Sequence, residues 1–198
     1  MYICLTILGF ILLCFGIYGI LNSNKSSASS DSSQAAIQNT PLSNEEKGKD
    51  FEDFIVSRFS PSDYTLVEKV NDYSSRNHNS ERSKYADLVF RKKNSNKEFA
   101  IECKYRSAWK ESGNDKSILW VEQRKIDDYN QFSKDRDIDV IVVFGVGGTP
   151  SNPEEVYALP LRLLQKPLPQ RYNFLQKFRI KDPHSFYEYD ETHHSLTL

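Results

Sequence analysis

Asp87, followed fifteen residues later by Glu102-Cys103-Lys104, gives this chain a set of side chains whose types and spacing could do chemistry together. Both pieces lie in segments that read as β-strands, residues 84–90 and 98–105, and Lys93-Asn94-Ser95-Asn96 between them is turn chemistry. A hairpin with an even loop centred between Asn94 and Ser95 pairs residues whose numbers sum to 189, as 87 and 102 do. The two carboxylates then face each other from one side of the sheet, with Cβ atoms about 5 Å apart. Lys104, two residues beyond Glu102, projects from the same side. An odd loop would slip the register and separate them. Facing carboxylates repel unless a cation lies between them, and oxygen-only ligands suit a hard ion, Mg²⁺ or Mn²⁺. Such an ion polarises a phosphoryl oxygen and acidifies a water. A neighbouring ammonium can orient that water and offset charge developing at phosphorus. The set therefore fits metal-assisted phosphodiester hydrolysis.

Several elements must position these residues. Ser43, with Glu46 three positions later and Pro41 just before, is a capping box that opens a helix. Phe51, Phe54, Ile55 and Phe59 form its apolar stripe, and Glu52 lies at the polar edge of that stripe. Glu45 and Glu46 read as capping and helix-dipole residues. Beyond the hairpin comes a polar loop, 107–117, then a second helix over 121–134 with Ile126, Tyr129 and Phe132 facing the core. Residues 138–146 are almost continuously apolar, as in a strand buried on both faces, so the helix before them is a crossover in a mixed α/β sheet. The glycine-rich run 145–150 lacks the Gly-Lys-Ser/Thr ending of a phosphate loop and reads as a turn. A further strand over 155–159 ends at Pro160, and 161–164 begin a short helix. Residues 171–180 interleave aromatic and basic side chains, which predicts an amphipathic C-terminal helix packed on the sheet; contact with nucleic acid is the other reading. His193 and His194 read as a solvated tail, and no His or Cys spacing suits zinc.

On these residues and elements, roughly 44–165, the chain resembles the PD-(D/E)XK, or restriction-endonuclease-like, nuclease superfamily. Ala86 stands where that signature often has proline. The resemblance implies a mixed β-sheet flanked by helices, with Asp87, Glu102 and the backbone carbonyl of Cys103 holding Mg²⁺, or Mn²⁺ in its place. It also implies that Lys104 activates the attacking water and that a first-helix glutamate can join the metal site. Glu52 in Lys47-Gly48-Lys49-Asp50-Phe51-Glu52 is either that ligand or a solvated helix carboxylate. Some branches of the family carry Gln-x-x-x-Tyr on the second helix. Here Gln123 is six before Tyr129 and Lys125 is four before it, so either could orient water or phosphate. Lys84, Arg106 and Lys125 are the expected nucleic-acid contacts, and the family favours DNA over RNA.

Charge is local rather than global. The net formal charge is −1, but residues 81–110 carry nine Lys/Arg and four Asp/Glu, a net of +5. A basic rim around an acidic metal centre suits a polyphosphate substrate. Residues 2–21 contain no charge, and twenty such residues rise about 30 Å as a helix, enough for a bilayer core. With no basic start and no Ala-x-Ala site, the segment reads as an uncleaved anchor rather than a signal peptide. Lys25 on its C-terminal side puts the soluble part in the cytoplasm by the positive-inside rule. The lone cysteine of that part, Cys103, gives no sign of an oxidising compartment.

The expected organisation is an α/β restriction-endonuclease-like fold preceded by one transmembrane helix. Residues 1–21 are the anchor, 22–42 a Ser-rich flexible linker, 43–165 the nuclease-like domain and 166–198 an extension packing on it. The expected activity is that of a membrane-anchored, Mg²⁺-dependent deoxyribonuclease, an endonuclease. The alternative is an inactive module of the same fold that binds nucleic acid or a protein partner; its mark would be a broken site, and Asp, Glu and Lys are all present.

Overall fold

Ser43 opens the first helix as the sequence predicts. Its hydroxyl accepts the Glu46 N–H at 3.2 Å and its own N–H donates to the Glu46 carboxylate at 2.8 Å, closing a capping box at the head of α1 (Asn44–Val56). The computed structural model describes residues 41–70 and 85–198. The apolar span 2–21, the tract up to residue 40 and Lys84 lie outside the described residues.

The chain then runs through β1 (Tyr64–Lys69), β2 (Leu88–Lys92) and β3 (Glu98–Arg106). A small hairpin follows, β4 (Lys110–Ser112) and β5 (Asp115–Ile118), before α2 (Gln123–Arg136), β6 (Asp139–Val146) and β7 (Glu155–Pro160). The C-terminal part holds β8 (Gln170–Arg171), the single turn α3 (Tyr172–Leu175), β9 (Arg179–Ile180) and the hairpin β10 (Glu188–Asp190) and β11 (Ser195–Thr197). The central sheet has the order β1-β2-β3-β6-β7-β9. Among the described strands only β3 and β6 are parallel, and α2 is the crossover that parallel pairing requires.

Each face of the sheet has its own helix and its own apolar layer. Phe51, Phe54 and Ile55 of α1 pack with Phe99, Ile101, Cys103, Ile141 and Val143. Ile126, Tyr129 and Phe132 of α2 pack on the other face with Val89, Ala100, Val140, Val142 and Phe144. β6 is buried along nearly its whole length because it feeds both layers. Gly145 lets α1 come close, since a Cβ there would collide with the Phe51 ring.

Three expectations need correction. The stretch 107–117 is not an open loop but holds β4 and most of β5, whose side chains are largely exposed and so carry no burial pattern. Residues 161–163 form a 3₁₀ turn rather than the start of a helix. Residues 171–180 do not form one amphipathic helix: α3 is four residues long, and Ile180 is drawn into a ladder with Val156. Beyond residue 166, Ile180, Tyr187, Tyr189 and Leu196 enter the core on the α1 side.

Candidate metal and phosphodiester site

The hairpin takes the even-loop register. Leu88 pairs with Ile101, Val89 with Ala100 and Phe90 with Phe99, so one further step brings Asp87 beside Glu102. Asp87 is held there by its Oδ2, which accepts the Cys103 N–H at 2.7 Å. N–H and C=O of one strand residue project to the same edge, so the Cys103 carbonyl also faces the Asp87 side while its thiol lies in the α1 layer. Burial pushes the Cys103 thiol pKa well up, and it reads as core rather than nucleophile.

Glu102 is 1% exposed. Its Oε1 is doubly engaged, by the Lys104 ammonium and by the Tyr129 hydroxyl, which donates at 2.6 Å. Its Oε2 is buried and has no hydrogen-bond partner among the described residues. A buried carboxylate oxygen left bare costs free energy, on the order of 1–3 kcal/mol or more. Burial raises the pKa of Asp87 well above the usual carboxylate range, the Glu102 charge adds to the rise, and Lys104 offsets part of it. Burial alone would lower the Lys104 pKa, but Glu102 and Asp87 outweigh it and hold the ammonium charged. Among the described residues, then, the cluster leaves one buried carboxylate oxygen without a donor or cation.

Glu52 reaches this field from α1. Burial raises its pKa, Lys69 at 3.5 Å opposes the rise, and the Glu102 charge adds to it. Among the described residues no three His, Cys, Asp or Glu side chains gather tightly enough to cage an ion. The donors that fit are two carboxylates and one backbone carbonyl, with the remaining positions left to water and substrate. That is how Mg²⁺ is ordinarily bound.

The other expected residues are placed unequally. Gln123 lies exposed in the first turn of α2 and donates to Asp127 at 2.9 Å, away from Glu102. Lys125 sits with its Nζ 5.7 Å from the centre of the Tyr129 ring, so it stands one contact from the Glu102 carboxylate. Arg106 donates to the carbonyls of Tyr105 at 2.8 Å and Leu119 at 3.1 Å, and so braces the chain between β5 and α2. Two residues given no site role from the sequence belong here: Tyr129, placed in the core and compared with the tyrosine of Gln-x-x-x-Tyr, and Lys69, whose ammonium lies 2.5 Å from Asp53 and 3.5 Å from Glu52. A groove of about 520 Å³ opens beside the site, lined by Asn44, Lys47 and Gly48 of α1 and by residues 103–107.

No family model and no curated protein matches the chain. Among solved structures it is similar to Hjc of Archaeoglobus fulgidus, a Holliday junction resolvase from an archaeal hyperthermophile. The identity is 12%, the match covers 66% of this chain and 93% of that one, and the TM-score is 0.46. At that distance the likeness is one of outline, and the chemistry rests on the residues of this chain.

Proposed function

We propose that the protein is a divalent-metal-dependent nuclease, an endonuclease acting on DNA, tethered to a membrane by residues 2–21. The observation that carries the catalytic reading is the bare, buried Oε2 of Glu102 in register with Asp87 and on the same face as Lys104. Asp87, Glu102 and the Cys103 carbonyl are the donors for the ion, and Glu52 is near enough electrostatically to assist. Mg²⁺ or Mn²⁺ bound there would polarise a scissile phosphate and acidify a water. The chain does the rest. Tyr129 fixes the Glu102 carboxylate in one orientation. The Lys104 ammonium orients the attacking water and counters charge developing on the phosphate oxygens. Asp87, held towards its protonated form by burial, gives up that proton when the site fills with positive charge. Lys125 and Lys47 line the approach of a polyanion. DNA follows from the sequence signature, and the tether follows from the uncharged span alone.

The test is to incubate the full chain with plasmid, linear duplex, single-stranded and branched DNA in Mg²⁺, Mn²⁺ or EDTA, beside Asp87→Ala. Cleavage that needs the metal and is lost in the variant is the expected result. Cleavage unaffected by EDTA and by the substitution would remove the carboxylates from the mechanism. For the tether, deleting residues 1–21 releases the protein from the membrane pellet; continued sedimentation with membranes would rule out this span as the anchor.

A further inference from the structure

Gly48 lies in the interior of α1, where glycine weakens a helix relative to alanine. The other described glycines have an internal reason to be glycine. Gly113, Gly147 and Gly148 have positive φ, and Gly145 makes room for Phe51. Gly48 has neither: its backbone is helical, and a Cβ built on it meets no atom of the described residues within 4 Å apart from its own helix backbone. It opens instead into the 520 Å³ groove beside the site.

The rest of that groove is suited to an anion. Lys47 is half-buried and has no acidic partner among the described residues, although acids are plentiful elsewhere on α1. Besides the α1 residues, the lining is residues 103–107 of β3 and its exit, Lys104 of the catalytic set among them. Among the described residues β2 pairs with β3 only as far as Ile101; beyond it β3 has β6 on one side, and on the other the Cys103 N–H donates to the Asp87 carboxylate.

We infer that the Lys47–Gly48 face of α1, together with residues 105–107, seats the sugar–phosphate backbone of the substrate strand next to the bond being cut. Gly48 is the point of closest approach, and Lys47 is the cation for a flanking phosphate. The inference rests on the nuclease reading and adds the path of the strand. The missing methyl is then space kept for the ligand rather than for the protein.

The experiment compares the full chain with Gly48→Ala, Gly48→Leu and Lys47→Gln. None of these residues is placed in the chemistry. Binding of a fluorescein-labelled DNA duplex is followed by anisotropy in EDTA across a KCl series, thermal midpoints are recorded in parallel, and wild-type cleavage is measured with Mg²⁺. Gly48→Ala should raise the thermal midpoint and yet weaken DNA binding several-fold, with Gly48→Leu weaker still. Lys47→Gln should lower the slope of log K against log salt by about 0.9, the value for one duplex phosphate contact. Wild-type affinity and salt slope in Gly48→Leu and Lys47→Gln, with a wild-type chain that cuts DNA, would overturn the strand path and leave the nuclease standing. A fall in the thermal midpoint of Gly48→Ala would overturn the premise that no protein atom needs that space. A wild-type chain that neither binds nor cuts DNA would sink both readings together.

Discussion

Glu98 and Glu102 stand on the same strand, β3, four residues apart and on the same face, yet their surroundings are opposite. Glu98 is saturated. Its Oε1 accepts from Arg91 at 3.0 and 2.6 Å, and its Oε2 lies 3.5 Å from Arg136, which also pairs with Glu68. Glu102 is more deeply buried and has one oxygen crowded and one bare. A carboxylate kept for stability fills its acceptor positions from its own chain. One kept for chemistry leaves a position open and is stabilised only when something else arrives.

The largest effect expected from that contrast is at Lys104. Lys104→Ala should lower cleavage by about 10²–10³-fold or more, the usual cost of removing one group aimed at developing charge. It should do so without unfolding the domain, as judged by circular dichroism. Undiminished cutting by a folded Lys104→Ala would take the ammonium out of the mechanism. Next is Tyr129→Phe, which removes only the hydroxyl that orients Glu102. A loss of about 10–100-fold in activity or metal affinity is expected of such a supporting partner. An unchanged rate would make Tyr129 merely a core residue.

Two smaller effects concern stability. In metal-free protein, Asp87 holds a proton more tightly when folded than when unfolded. Its contribution is complete below the ordinary value of 3.8 and is lost as pH rises through the raised folded value. Asp87→Asn retains an oxygen acceptor for the Cys103 N–H and escapes that loss. Its thermal midpoint in EDTA should exceed that of the wild-type protein at pH 7, by about 2–4 °C per kcal/mol recovered, with the gap closing near pH 4. A lower midpoint at pH 7 would mean that Asp87 is a structural carboxylate after all. Glu98→Gln should show the reverse profile: a stability loss of about 1 kcal/mol at most, as for partly exposed ion pairs, with cleavage intact.

The sequence was most legible where local chemistry and long patterns agreed. The capping box at Ser43 involves residues three apart. The 87–102 register needs only an even turn and two well-patterned strands, and β6 declares itself by an unbroken apolar run. What stayed hidden depends on contacts distant in sequence. Tyr129 reaches Glu102 across 27 residues, and helical spacing shows that its ring faces inward but not what its hydroxyl meets. By the same limit, the spacing could not choose between Gln123, which turns out to Asp127, and Lys125, which stacks on Tyr129. β1 was silent because only Tyr64 in it is buried, and β4 and β5 because their side chains are largely solvated. At Arg179 and Ile180, pairing with β7 overrode an aromatic and basic pattern that fits a helix as well as a strand.

The most direct measurement places the two glutamates side by side: Mg²⁺-dependent DNA cleavage by the wild-type chain, Glu98→Gln and Glu102→Gln at equal concentration. Glu98→Gln should cut like the wild-type protein, and Glu102→Gln, though folded, should not cut. Equal cleavage by all three would contradict this, because the bare oxygen of Glu102 would then have no part in the reaction.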